Sequence, residues 1–474
     1  MKYFFSLLLA TVLLFLTSSG AFAIVDPQEY ANNRYGIHLL DSNDMESARQ
    51  LVNSGGGDWG YVTLVIREDE RDIKHWQKVF DELRRARLIP IIRVATIQEG
   101  GGWKKFDEEG LNNWVFFLNS LNWVVKNRYI VFANEPNHAS EWGGEVNAAE
   151  YSRLLCSFSQ KLKDASGDFF VLPAGLDASA PDSKGYQSEE NFIGDMMKER
   201  NFFDCIDGWT SHSYPNPDFS ASEYSAGKIS IKTYKWEMEL LKSFGLKRDL
   251  PIFITETGWK HSKGEEKSKL LSPTEVAAKL KYAFENVWVE KEIVAVTPFV
   301  LNYQEPLFAN FSWKAEDSTF YPFYFQIQSM PKTKGDPAQE DMGEIVFFIS
   351  QKILEEESKI SGYILIKNEG QSIWTPEDTQ ILMQFQDGFK QKQFIQTSLE
   401  PNKSSFMAIS FYTPKYQGQL KGKLTIVRKD KVVSSVYNFE IYQLKKDQGF
   451  VSTLVEFKNI VSGWVTQKLK YVLK

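Results

Sequence analysis

Cysteine, histidine and surplus positive charge are all scarce in this sequence, and each shortage closes a route. Two cysteines, Cys156 and Cys205, allow a single bridge, and their spacing leaves open a disulfide or two buried free thiols. The five histidines are scattered without metal-ligand spacing. No structural or catalytic zinc is therefore expected, and no cofactor is implied. A formal net charge of −6 offers no basic excess for nucleic acid. No glycine-rich turn follows the first apolar run. Gly55-Gly56-Gly57 precedes a strand-like run and reads as a loop, so an open doubly wound sheet lacks its phosphate cradle. The apolar run Phe4–Leu16 is short for a membrane span, which takes about 20 residues. With Lys2 before it and Ala21-Phe22-Ala23 after it, residues 1–23 read as an export signal cleaved after Ala23. That implies a secreted or cell-envelope protein.

What is present is a globular balance, 43% hydrophobic and 24% charged, in a length that implies two or three domains. Aromatics at 14% suit stacking on flat apolar faces and equally suit filling a large core.

Eight short apolar runs lie between residues 34 and about 300: Tyr35–Leu40, Gly60–Ile66, Ile89–Ala95, Tyr129–Ala133, Phe169–Ala174, Ile206–Ser211, Pro251–Thr255 and Ile293–Leu301. Most gaps between them carry a helical period. In Asp72–Arg87, for example, Ile73, Trp76, Val79, Phe80 and Leu83 share one face. Apolar strands alternating with amphipathic helices imply parallel strands covered by helices. Eight such units fit a closed (β/α)8 TIM barrel, typically about 250 residues, over residues 24–330.

The texture then changes. Residues 331–342 are polar with Pro and Gly and read as a linker. Residues 343–446 show short alternating runs separated by turn signals, the pattern of a β-sandwich accessory domain. The string Asn368-Glu-Gly370 followed by Trp374 is similar to the Asn-x-Gly…Trp signature of immunoglobulin-like domains. Residues 447–474 read as a basic amphipathic helix, with Phe450, Leu454, Phe457, Val461, Trp464 and Leu469 at helical spacing among lysines. Such a helix, over 449–474, suits contact with a membrane or cell surface, or packing on the sandwich or the barrel.

In a parallel barrel the chemistry sits at the C-terminal ends of the strands. The fourth run ends in Asn134-Glu135-Pro136 and the seventh in Glu256-Thr-Gly-Trp259. Positions four and seven face each other across the mouth, so two carboxylates can address one bond between them. Cleaving a glycosidic bond needs such a pair: one carboxyl protonates the leaving oxygen, and the other attacks carbon or activates water.

Asn134-Glu135-Pro136 after the fourth strand, with Glu256 after the seventh, resembles the clan-A glycoside hydrolases over roughly residues 34–325. The resemblance implies a retaining β-glycosidase, with Glu135 as acid/base, Glu256 as nucleophile and Asn134 holding the sugar 2-hydroxyl. It also implies contacts to substrate or nucleophile from His212 and Tyr214 at the end of the sixth strand. Arg93, ending the third strand, is placed to reach the carboxylates or to form a structural salt bridge. Many members carry a Trp after strand eight, where this chain has Val300-Leu301-Asn302-Tyr303. Trp259 or Trp313 is a candidate for that stacking, Tyr303 is a further substrate-binding candidate, and Trp103 and Trp142 are candidates for lining a cleft. Glu-Thr-Gly-Trp is similar to β-1,3-glucanases of the clan. Asn-Glu-Pro with His-x-Tyr-Pro is similar to its xylosidase-like and exopolysaccharide-processing members. The expected substrate is a poly- or oligosaccharide. The alternative is a non-catalytic carbohydrate-binding or surface adhesive protein on the same barrel.

Overall fold

The computed structural model describes residues 24–265 and 268–446. The expected export signal and basic tail helix lie outside the described residues. The chain divides into two compact units between Ala338 and Gln339.

In the first unit eight strands alternate with eight α-helices. The strands are β1 Gly36–Leu39, β2 Gly60–Arg67, β3 Leu88–Ala95, β4 Arg128–Phe132, β5 Phe169–Pro173, β6 Trp209–His212, β7 Ile252–Glu256 and β8 Ile293–Val296. The helices are α1 Met45–Val52, α2 Ile73–Ala86, α3 Glu108–Asn119, α4 Ala148–Ala165, α5 Glu189–Glu199, α6 Thr233–Ser243, α7 Pro273–Tyr282 and α8 Pro322–Ser329, one after each strand. All pairs among these eight strands are parallel, in the orders β1-β2-β3-β4-β5 and β6-β7-β8, and a separate antiparallel hairpin joins Gln98–Glu99 to Gly102–Trp103 in the loop after β3. A parallel bridge from Tyr35 to Val296 joins β1 to β8. Between β5 and β6, Asp207 N–H donates to Val171 O, and the Thr210 hydroxyl donates to Pro173 O. The result is an α/β core resembling a barrel.

The strands take this form because they are apolar on both faces. β5 and β7 are buried at every position, as parallel strands covered by helices must be. The interior is filled by side chains rather than left as a pore. Tyr129 packs against Tyr61, Phe170 and Phe253, joining β2, β4, β5 and β7 in one aromatic layer. Local signals set the helix starts. Asp72, Asp107 and Asn147 each cap a helix by accepting a backbone N–H. Ser272 and Glu275 form a reciprocal capping box ahead of α7, with Pro273 as its first residue.

Cys156 and Cys205 form a disulfide, with Cα atoms 5.1 Å apart. The bridge ties α4 to the turn that leads into β6, the strand that carries His212.

The division into units falls inside the expected linker, and each part of that segment bonds within its own unit. Lys332, Gly335 and Asp336 donate backbone N–H groups to Gly55, Asp58 and Ala31 of the first unit. Asp341 pairs with Arg428 of the second. Backbone hydrogen bonding of this kind is invisible in composition.

The second unit is a curled β region resembling a sandwich. Its strands are β9 Gly343–Ser350, β10 Ile353–Glu355, β11 Lys359–Asn368, β12 Thr379–Phe385, β13 Lys390–Phe394, β14 Ser404–Tyr412, β15 Gly418–Arg428 and β16 Tyr437–Leu444. One sheet runs β9-β11-β14 and the other β10-β16-β15-β12-β13, with the short strand Lys431–Val432 paired to β15 as its sixth member. Asn368 is fully buried, donating to Ser372 O and Leu399 O and accepting from Gly370 N–H. Gly370 is required there because a Cβ would come within 2.5 Å of Glu340 O.

Candidate functional site

The C-terminal ends of the barrel strands open into a cleft of about 1300 Å³, its open mouth included. Arg93, Asn134, Glu135, Tyr214 and Glu256 line it together with Trp103.

Glu256 is the most constrained member. Arg93 Nη1 donates to its Oε1 at 2.5 Å, and the Tyr214 hydroxyl donates to its Oε2 at 3.1 Å. A register shift in the β6–β7 ladder brings His212 directly opposite Glu256. His212 Nδ1 stands 3.9 Å from Glu256 Oε2 and 2.7 Å from Glu135 Oε1, close enough to donate its proton to Glu135. One oxygen of each glutamate and His212 Nδ1 all lie within 4.8 Å of one another. That spacing is also short enough for a cation. Sequence spacing gives no sign of the cluster, since its members come from the ends of three strands.

The electrostatics follow from this packing. Burial alone disfavours ionised Glu256, but His212 and Arg93 outweigh it and hold the carboxyl well below the usual range. Burial also opposes charge on His212, yet Glu256 and the hydrogen bond to Glu135 raise its pKa. Burial and then Glu256 push Tyr214 up, so it stays a neutral donor.

Asn134 is held at both ends of its amide. Its Oδ1 accepts from Arg93 at 2.6 Å, and its Nδ2 donates to Glu141 Oε2 at 3.2 Å. The backbone here is left-handed at two non-glycine residues, Ala133 at φ 71° and Glu135 at φ 33°. Strain of this kind persists where the surroundings over-determine it, commonly at functional sites.

Three of the expected site residues stand elsewhere. Trp142 is fully buried, with its indole N–H on Glu150 at 3.2 Å and its ring among Phe106, Phe132 and Tyr151. Trp259 is buried too, its indole N–H on Ala221 O at 2.8 Å. Both rings are loop anchors rather than open faces, because an indole beside the core gains more from burial than from the cleft. Tyr303 packs edge-on against Phe308 and is not part of the cleft lining.

The structure adds residues that the sequence did not single out. His138 is one: its Nε2 bonds Oδ2 of Asp177, a residue already expected at the rim from the sequence, at 2.9 Å on the cleft wall. Gly175 is the least visible addition. A Cβ there would lie 2.3 Å from His212 Cδ2, so only glycine lets the imidazole reach Glu135. Its signal was a glycine two residues past a strand end, which no motif marks. Gly175→Ala is expected to displace His212 and lower turnover by about 10²-fold, since misplacement by about 1 Å has costs of that order. Steady-state kinetics beside a thermal melt would separate this from unfolding. A variant with unchanged kcat would remove His212 from the site.

No protein-family model and no curated protein matches the chain. Solved structures that it resembles include an FMN-binding β-glucuronidase from Faecalibacterium prausnitzii. That match has 10% identity and TM-score 0.41, and covers 88% of this chain and 57% of that one. A GH128 endo-β-1,3-glucanase from Sorangium cellulosum matches at 15% identity and TM-score 0.40, covering 63% of this chain and 98% of that one. A β-glucuronidase from Bacteroides uniformis matches at 10% identity and TM-score 0.40, covering 87% of this chain and 46% of that one. The chain thus spans about half the length of the two glucuronidases. These neighbours are named as hydrolases of glycosidic bonds. At such scores the likeness carries no argument about this site, which rests on its own geometry.

Proposed function

We propose that the protein is an exported retaining β-glycosidase acting on a poly- or oligosaccharide. The observation that carries this reading is the pair of facing glutamates, with carboxylate oxygens no more than 4.8 Å apart. Retaining enzymes hold their two carboxyl groups about 5–5.5 Å apart, and inverting enzymes leave about 6.5–9.5 Å for a water.

In the first step a Glu256 oxygen attacks the anomeric carbon. The Glu135 proton passes to the glycosidic oxygen, the C–O bond breaks, and an alcohol leaves. In the second step the Glu135 carboxylate takes a proton from water. The water oxygen attacks the same carbon and Glu256 departs. His212 and Arg93 keep Glu256 ionised, and the hydrogen bonds from Arg93 and Tyr214 keep it aimed. His212 supplies a proton relay partner for Glu135, which must alternate between acid and base. Asn134, with its amide clamped by Arg93 and Glu141, presents its Nδ2 edge toward the sugar 2-hydroxyl. Export is supported by the Cys156–Cys205 bridge, since disulfides persist in oxidising compartments.

The test is product release from a panel of β-glucans, xylans, mannans, galactans and bacterial exopolysaccharides, with Glu135→Gln and Glu256→Gln run in parallel. Release that both substitutions remove is the expected result. Binding of a polymer without release by any form would replace this reading with a sugar-binding one.

A further inference from the structure

The two walls of the cleft differ in chemistry. The loops after β3, β4 and β5 turn Gln98, Glu141, His138, Asp177 and Ser179 toward it, with the rings of Trp103 and Phe106 beside them. The loops after β6 and β8 present Phe219, Phe299, Leu307, Phe308 and Phe311. The phenyl rings of this second wall brace one another edge to face. Phe219 meets Phe311 at 5.0 Å and 87°, and Phe299 meets Phe308 at 5.2 Å and 86°. The inner members, Phe299 and Phe311, are buried. At the mouth Leu307 is 73% exposed and Phe308 36% exposed. The apolar rings therefore extend from buried Phe311 through Phe299 to Phe308 and Leu307 at the mouth.

A wall of this kind receives the C–H face of a sugar but no hydroxyl. Phe and Leu supply no donor or acceptor, so hydroxyls desolvated against them stay unpaired at a cost. The polar members at its base are Tyr214, whose hydroxyl is committed to Glu256, and Asn216, and the Lys260 ammonium stands 4.5 Å from the Phe219 ring centroid and 5.6 Å from that of Phe311. A hydrocarbon chain loses nothing there and gains the removal of its own surface and that of Leu307 and Phe308 from water. Contiguous exposed apolar surface at a cleft also marks a ligand site in its own right.

We infer that the substrate is a glycoside bearing an apolar substituent, an alkyl, acyl or aryl group. The substituent lies along the Phe219–Phe311 wall while the opposite wall holds the sugar. This inference rests on the glycosidase reading for the identity of the sugar-binding half.

The test compares dissociation constants of octyl and methyl β-glucoside for Glu256→Gln protein, with octyl glucoside kept below micelle formation. The same comparison with methyl 6-O-octanoyl-β-glucoside covers a chain on the retained sugar. At least one chain-bearing probe is expected to bind about tenfold or more tighter than methyl β-glucoside. The double substitution Leu307→Asp, Phe308→Ser, at solvent-facing positions, is expected to cut that preference at least fivefold. A preference under tenfold with both probes, or one that the double substitution leaves intact, overturns the inference. Because binding is read without turnover, failure of hydrolysis would count against the glycosidase reading alone.

Discussion

Glu256→Gln is expected to lower turnover on the order of 10⁴-fold or more, and Glu135→Gln by about 10²–10⁴-fold. The two losses differ in kind. Without Glu256 no covalent intermediate forms, so every substrate suffers. Without the Glu135 acid, a substrate whose leaving group departs unaided still forms the intermediate, so activity on nitrophenyl glycosides falls least in its first step. Equal losses on good and poor leaving groups would move the acid role away from Glu135. A mechanism-based fluoro-sugar label on any residue other than Glu256 would overturn the nucleophile assignment.

The same pair sets a pH dependence. Glu256 is held well below the usual carboxylate range, so it remains ionised as pH falls. The opposing influence of burial is overcome partly by Arg93, at 2.5 Å. Replacing Arg93 with Met removes a cation beside a carboxylate, and the Glu256 pKa rises. The acidic limb of kcat/KM is expected to move to higher pH by about one unit or more. An unmoved limb would mean that another group titrates there.

The largest stability effect is expected away from the site, at Glu189 of α5 and Glu237 of α6. Both carboxyls are wholly buried and neither has an ion-pair partner within 4 Å among the described residues. Burial pushes Glu237 up to about 7, and burial together with Glu237 pushes Glu189 well above its ordinary value. Two such groups meet best as an acid sharing its proton with the other. A carboxyl whose folded pKa is raised favours folding below its unfolded pKa, and that contribution is lost as pH rises through the folded value. The melting temperature is therefore expected to fall between about pH 5 and pH 8. Glu237→Gln, which keeps a donor facing Glu189, should flatten that slope and raise the melting temperature at pH 8. Melts at the two pH values check this. Parallel curves for the variant and the natural protein would show that the pair does not titrate on folding.

Much of the barrel was legible because its signals are local. Eight apolar runs announced eight strands, and the residues closing the third, fourth, sixth and seventh stand at the cleft. Helices α1, α5 and α8 carry no clear helical period in the sequence, and α5 shows why. Its Phe192, Ile193 and Met196 form a short buried stripe amid Glu and Asp, with no capping bond from Ser188 to advertise its start. The tryptophans misled for a related reason. Trp142 and Trp259 sit in loops beside catalytic motifs, and a sequence records that proximity but not which way a ring turns.

The sequence by itself determined the alternation of strand and helix, the two glutamates at opposite strand ends and the change to β texture after the barrel. Each of these is a property of neighbouring residues, and period and strand-end position can be read along the chain. Tertiary structure alone decided the contacts on which the chemistry depends. His212 meets Glu135 across 77 residues, and Arg93 meets Glu256 across 163. The disulfide, the glycine beneath His212 and the apolar wall arose in the same way. Each depends on which side chains closure of the barrel brings within a few ångströms, and no local pattern encodes that distance.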